Sequence, residues 1–103
     1  MATTPESKVK KLVTARLKAL GAYYFYPVTG GFGRSGVPDI VCCLRGRFVG
    51  IECKAGKGKV TALQQRNLDL IAKAGGIATV INENNIDEEL ASIIEQCQGE
   101  KLQ

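Results

Sequence analysis

The chain has 103 residues, 45% of them apolar, and its 14 Lys or Arg and 10 Asp or Glu leave a net charge of +4. This length and composition predict a single folded domain over residues 1–103 and exclude a largely disordered chain. The sequence has no apolar run near the roughly 18 residues of a membrane span and no signal-peptide pattern. We therefore expect an intracellular, cytoplasmic protein (in the host cell if viral) without membrane contact.

The first predicted element is a helix. Thr4 can cap it with Pro5 at the first helical position, and Gly21 ends it. Between them, apolar residues recur at helical spacing: Val9, Leu12, Val13, Leu17 and Leu20. Residues 22–28 then predict a strand that Pro27 weakens.

A glycine-rich loop at 29–36 leads to two further strands, at 38–44 and 47–54. The dipeptide Arg45-Gly46 between these strands is typical of a hairpin turn. The loop lacks the spacing of a nucleotide-binding loop. Arg34 within it can grip a phosphate, because neighbouring glycines let a backbone approach closely.

The second half alternates helices with one strand. A basic loop at 56–59 precedes a helix from about Thr61 to Ala74, and residues 77–81 predict a short buried strand. A last amphipathic helix runs from about Ile86 to Cys97 with Asn85 as its cap, and the tail from about residue 98 to 103 is expected to fray. The order α-β-β-β-α-β-α predicts an α/β sandwich around a mixed sheet. Lys57 and Lys59 of the basic loop either grip phosphates or are ordinary solvated lysines.

Four cysteines stand at 42, 43, 53 and 97, and the chain has no histidine. Cys42 and Cys43 are adjacent and would point to opposite sides of a strand. No Cys-x-x-Cys pair is present. The pattern disfavours a zinc site and predicts buried, reduced thiols.

The charges are unevenly distributed along the chain. Residues 1–60 hold eleven Lys or Arg and three carboxylates, a net +8, whereas residues 61–103 hold three basic and seven acidic residues, a net −4. The basic part is the part expected to face nucleic acid, although many basic proteins bind none. Two of its three acids, Asp39 and Glu52, interrupt apolar runs, where a carboxylate is costly unless it is paired. A divalent cation beside a phosphate polymer suits this pattern, which indicates a metal-dependent nuclease.

The hairpin predicts where these two acids lie. If Arg45-Gly46 is a two-residue loop, Leu44 pairs with Arg47, and Asp39 lies opposite Glu52 with Cβ atoms roughly 4.5–5.5 Å apart. A Mg²⁺ or Mn²⁺ ion between them would turn two repelling carboxylates into a ligand pair. Lys54 projects from the same face. Arg is unfavourable at the positive φ that a two-residue turn requires. If the loop is longer for that reason, the pairing register of the two strands shifts.

Two further residues have two interpretations each. Helical winding places Glu6 within about 20° of Val13 and Leu17, so it points toward the sheet; alternatively it is an ordinary first-turn acid in a capping box with Thr3. Gln64 falls on the buried side of its helix, where it orients a lysine, a water or a carboxylate, or else bonds to a nearby backbone group.

The motif Pro38-Asp39, twelve residues, then Glu52-Cys53-Lys54 is the signature of PD-(D/E)XK nucleases. With Glu6 upstream and Gln64 downstream, each on a helix, the chain resembles the VRR-NUC domain, the virus-type replication-repair nuclease family of that superfamily. The resemblance covers roughly residues 5–95. It implies a restriction-endonuclease-like mixed sheet flanked by helices.

The resemblance also implies a Mg²⁺- or Mn²⁺-dependent DNA endonuclease. Small stand-alone members resemble homodimers that cut branched DNA such as four-way (Holliday) junctions. By the same resemblance Asp39, Glu52 and the Cys53 carbonyl bind the metal. Glu6 either supports the site or adds a further ligand. Lys54 orients or activates the attacking water. Gln64 supports Lys54.

Other functions remain open from the sequence. The same fold can serve as a non-catalytic, basic nucleic-acid-binding module, or as a nuclease directed at RNA. A homodimer is expected because a junction-cutting enzyme needs two active sites and because one small surface cannot hide so many aromatic residues: Tyr23, Tyr24, Phe25, Tyr26 and Phe32.

Overall fold

A computed structural model of the chain describes residues 4–28 and 33–99. In that part three helices and a four-stranded mixed sheet follow one another in the predicted order. The elements are α1 Pro5–Ala19, β1 Tyr23–Phe25, β2 Ile40–Leu44, β3 Arg47–Cys53, α2 Ala62–Lys73, β4 Ile77–Ile81 and α3 Ile86–Gly99. The strands lie side by side as β1-β2-β3-β4, with β4 parallel to β3 and the other neighbours antiparallel.

Several element boundaries differ from prediction near prolines. β1 has three residues where a strand over 22–28 was expected, and β2 begins at Ile40 where 38 was expected. Pro27 and Pro38 have no N–H to donate to a strand ladder, which accounts for both shortened ends. At the C-terminus, α3 continues to Gly99. Residues 100–103 of the expected frayed tail and residues 29–32 of the glycine-rich loop lie outside the described residues.

The predicted hairpin register is confirmed. Leu44 pairs with Arg47, and the ladder continues to Ile40 opposite Ile51. Arg45 and Gly46 both have positive φ, at 53° and 83°, as the two-residue turn requires. Arg45 tolerates this conformation at a cost of roughly 1–2 kcal/mol. No longer loop displaces the register.

The main core lies between one face of the sheet and the helices α1 and α3. The apolar stripe of α1 (Val9, Val13 and Leu17) packs there against Ile40, Ile51 and Ile81 of the sheet and Leu90 and Ile93 of α3. Leu12 was predicted to join this stripe and is instead 50% exposed. It stands about 100° from Val13 around the helix, which turns it past the edge of the buried face.

The helix α2 covers the other face and holds the segment that leads into β2. Ile71 of α2 packs so closely on β3 that a Cβ atom at Gly50 would lie 2.7 Å from its Cδ1. Gly36, at φ +77°, would bring a Cβ within 2.7 Å of the Leu63 side chain. Beside it, the buried Asn67 amide donates to the Ser35 carbonyl at 3.1 Å. The chain just before Asp39 is therefore tied to α2.

The cysteines follow the sheet's two faces. Cys42 is buried and Cys43 is exposed, so the prediction that they point to opposite sides of the strand is confirmed. The prediction that all four thiols are buried is wrong for Cys43. Burial raises the pKa of Cys42 to about 11 and that of Cys53 to about 12. Cys97 is buried as well, and all four thiols are free. None of the helices in residues 4–28 and 33–99 has the length and hydropathy that a membrane crossing requires.

Candidate active site

Three carboxylates from distant parts of the chain converge at one end of the β2–β3 hairpin. Glu6 lies in the first turn of α1, Asp39 just before β2 and Glu52 near the end of β3. One oxygen atom from each lies within 4.8 Å of the others. The winding argument that turned Glu6 toward the sheet is confirmed. The cap of α1 is Thr4, whose side chain accepts from the Ser7 N–H at 3.1 Å, and Thr3 lies outside the described residues.

Asp39 is oriented by a backbone bond and an ion pair. It stands one residue before the pair Ile40–Ile51, which continues the register to Glu52 as predicted. Its Oδ2 accepts from the Cys53 N–H at 2.9 Å, and its Oδ1 lies 3.7 Å from the Lys10 ammonium. The side chain is therefore held with its two oxygens in different environments.

Glu52 is the buried member of the cluster, at 1% exposure. Burial and the negative charge of Asp39 together raise its pKa from the usual 4.5 to about 7, against the opposing effect of Lys54. The Lys54 ammonium lies 3.4 Å from Glu52 Oε2, which confirms that Lys54 projects toward the carboxylates. A buried carboxylate beside a second one is the environment that a cation stabilises most.

Gln64 bonds to a nearby backbone group, which is the second of the two environments predicted for it. It is half-buried at the start of α2, where its Oε1 accepts from the Thr61 N–H at 2.9 Å. In return the Thr61 hydroxyl accepts from the Gln64 N–H at 3.1 Å. This capping box means that a nearby backbone group occupies the amide oxygen. Gln65, the next residue of α2, is exposed and donates to Asp69.

The three basic residues assigned to DNA lie in two places. Lys57 and Lys59 are exposed in the segment that follows Lys54. Arg34 is exposed on the α2 side of the sheet, where it borders a shallow cavity with Phe48 and Ile71, and it does not join the carboxylates. The structure thus separates Arg34 from the lysine loop.

Two residues that the sequence analysis overlooked contact this region. Lys10 reaches Asp39 from α1, one turn after Glu6; its position about 40° around the helix from Glu6 would have revealed it. Glu83 follows β4, and both of its carboxylate oxygens accept from the Gly56 N–H, at 2.9 and 2.8 Å. No local sequence signal links Glu83 to that loop, because the contact depends on the parallel pairing of β3 with β4.

Solved structures with this architecture include one described as a VRR_NUC domain. It superposes with a TM-score of 0.76 at 28% sequence identity, and the match covers 86% of this chain and 97% of the other. The resemblance to the VRR-NUC family is confirmed. The restriction-endonuclease-like fold predicted from the VRR-NUC motif is confirmed with it.

Two further solved structures share the fold at lower sequence identity. One, described as a VRR_NUC domain protein, has a TM-score of 0.67 at 22% identity over 93% of this chain and 89% of its own. The other is Archaeoglobus fulgidus Hjc, a Holliday junction resolvase from an archaeal hyperthermophile, with a TM-score of 0.57 at 20% identity over 74% and 66%. Neither the protein-family models nor the curated protein sequences give a match. These two structures extend the shared fold over 93% and 74% of this chain.

Proposed function

We propose that the chain is a metal-dependent endonuclease that hydrolyses phosphodiester bonds in DNA, with branched duplexes such as four-way junctions as its preferred substrates. One observation carries the proposal. Glu6, Asp39 and Glu52 converge within 4.8 Å in a VRR-NUC-like fold, and the Lys54 ammonium lies 3.4 Å from Glu52. Carboxylates and a lysine in this arrangement are what hydrolysis of a phosphodiester needs.

The donor atoms fit Mg²⁺ or Mn²⁺. All three side chains offer hard oxygen atoms, and the cluster contains no imidazole, since the chain has no histidine. Such donors suit Mg²⁺ and Mn²⁺ over softer metals. We assign Asp39, Glu52 and the Cys53 carbonyl as ligands, with Glu6 as a further ligand or support. When bound, the ion lowers the pKa of a coordinated water and stabilises negative charge on the phosphate.

The remaining residues act on the water and on the DNA. Lys54 is 14% exposed and faces Glu52, so its amino group is placed to orient the attacking water as an ammonium or to accept its proton in the neutral form. Gln64 is left out of this proposal, because its amide oxygen accepts from the Thr61 N–H. Lys57 and Lys59 follow Lys54 on an exposed loop and contact DNA phosphates, and Arg34 provides a separate contact on the α2 side.

A cleavage panel tests the activity. Linear, flapped and four-way-junction DNA, with matching RNA, are incubated with Mg²⁺ or Mn²⁺ and in excess chelator. We expect cleavage of branched DNA that requires the metal. Asp39→Ala and Glu52→Ala should each lower the rate by at least about 1000-fold while DNA binding persists. Asp69→Ala and Glu88→Ala, which remove exposed acids far from the cluster, should retain the rate.

The same panel separates the alternatives. Binding without turnover in the unmodified chain would identify a non-catalytic module, and faster cleavage of RNA would identify an RNA-directed nuclease. Undiminished cleavage in both Asp39→Ala and Glu52→Ala would overturn the assignment of the site.

We also propose that two copies of the chain assemble as a homodimer. Tyr23, Phe25 and Phe48 lie on one face of the sheet and are 73%, 49% and 49% exposed. The cross-strand register places Tyr23 and Phe48 on either side of Cys43, and the ring centroids of Tyr23 and Phe25 lie 6.4 Å apart. We call the surface that carries these three residues the aromatic face. A second copy is the partner we assign to it, because a four-way junction presents two strands to be cut.

The aromatic residues that predicted a dimer have different environments. Tyr24 packs against the core, and the Tyr26 hydroxyl donates to Thr14 at 3.2 Å. Phe32 lies outside the described residues. Phe48, which the sequence analysis did not consider, joins Tyr23 and Phe25 instead.

A further inference from the structure

Lys10 is a second lysine at the carboxylate cluster. Its ammonium lies 3.7 Å from Asp39 Oδ1, and the side chains of Lys10 and Asp39 are 35% and 22% exposed.

The two lysines hold different carboxylates. Lys54 faces Glu52 and Lys10 faces Asp39, so among the described residues each of these acids has one ammonium partner. Asp39 Oδ2 already accepts from the Cys53 N–H. The oxygen that faces Lys10 is thus the one that Asp39 presents to a cation without breaking that backbone bond.

A divalent ion and the Lys10 ammonium compete for this oxygen. Both are positive, and two cations that share one carboxylate repel each other at this distance. Lys10 can withdraw without any backbone change, because its charge stands on a flexible four-carbon stem that is partly in solvent. A phosphate of bound DNA offers the displaced ammonium a new negative partner.

We propose that Lys10 acts as a built-in competitor of the metal ion at Asp39, and that it moves to a DNA phosphate when the metal binds. The inference rests on the proposed function of the site. It gives Lys10 two opposing effects. In the absence of DNA it weakens metal binding, and during cleavage it stabilises the phosphate.

The competitor role is tested by Mn²⁺ binding to the full chain without DNA, followed by electron paramagnetic resonance. Lys10→Gln should bind Mn²⁺ more tightly than the unmodified chain, by roughly three- to tenfold. Lys10→Arg keeps the charge and should bind like the unmodified chain. Lys11→Gln is the matched control: it makes the same charge change at the neighbouring exposed position and should shift the affinity by less than about twofold.

The phosphate role is tested by single-turnover cleavage at varied Mg²⁺. For Lys10→Gln we expect a lower half-saturating Mg²⁺ concentration together with a lower rate at saturating Mg²⁺, by about tenfold. If Lys10 had only a structural role, its loss would raise the half-saturating Mg²⁺ concentration and lower the rate at saturating Mg²⁺. Lys10→Arg should restore the rate.

The outcomes separate this inference from the proposed function. Unchanged or weaker Mn²⁺ binding by Lys10→Gln would overturn the competitor role, and an unchanged rate at saturating Mg²⁺ would overturn the phosphate role. If the unmodified chain binds no Mn²⁺, the proposed metal site itself is overturned. If it binds Mn²⁺ and cuts DNA while Lys10→Gln behaves identically, only the inference about Lys10 falls.

Discussion

At the scale of single residues, Glu52 links the site to the stability of the fold. In the protein alone its pKa is about 7, above the usual 4.5. The folded state therefore binds a proton that the unfolded state has already released between these values. The free energy of unfolding should fall as the pH rises from about 4.5 to about 7, by on the order of 1–3 kcal/mol. Stabilisation by Mg²⁺ should grow over the same range, because the ion binds the ionised carboxylate.

Urea unfolding in chelator at several pH values between 5 and 8 measures this effect. Glu52→Gln removes the titrating group and should flatten that part of the pH dependence, so its advantage over the unmodified chain grows toward pH 8. Glu88→Gln, a matched change at an exposed acid, should leave the slope as it was. A slope that survives in Glu52→Gln would assign the pH dependence to other groups.

At the scale of elements, the contact between α2 and the segment before β2 positions Asp39. Gly36→Ala would introduce a Cβ at φ +77° and 2.7 Å from the Leu63 side chain. We expect a loss of about 2–3 kcal/mol in the free energy of unfolding, part from the backbone conformation and part from overlap. Mn²⁺ should also bind more weakly, because Gly36 stands three residues before Asp39.

Gly46→Ala is the control for the backbone term alone. Gly46 has a similar φ of +83°, and a Cβ there would meet no atom within 4 Å. It should cost about 1 kcal/mol and leave Mn²⁺ affinity unchanged, since the turn lies at the opposite end of the hairpin from Asp39. Equal losses of stability and metal affinity in the two variants would show that packing on α2 does not position the site.

The elements also show what the sequence can and cannot predict. The two-residue turn set the register that aligns Asp39 with Glu52, and winding oriented Glu6, because both follow from local geometry. Winding does not reveal how far a neighbouring element extends, so Leu12 was assigned to the core although it is 50% exposed. The contact of Glu83 escaped prediction because it joins residues that only the assembled sheet brings together, whereas winding places Lys10 beside Glu6 on α1.

At the scale of the whole molecule, the aromatic face predicts the assembly. A stable interface buries about 800 Å² on each partner, which is roughly an eighth of the 6712 Å² surface of one chain. Tyr23, Phe25 and Phe48 at the centre of such a patch supply the large, rigid side chains that dominate binding energy. Phe48→Lys should therefore give a monomer by light scattering at micromolar concentration, with little loss of stability, because Phe48 is already 49% exposed.

Leu12→Lys is a closely matched control. Leu12 is an apolar residue of nearly the same exposure, 50%, but it lies on α1, away from the aromatic face. Its variant should remain a dimer if the aromatic face forms the interface. Dimers that persist in Phe48→Lys and dissociate in Leu12→Lys would move the interface to α1, and a monomeric unmodified chain would exclude the assembly. In a dimer built on the aromatic face, Phe48→Lys should also slow junction cleavage more than cleavage of a linear duplex, because only the junction needs two sites held in one particle.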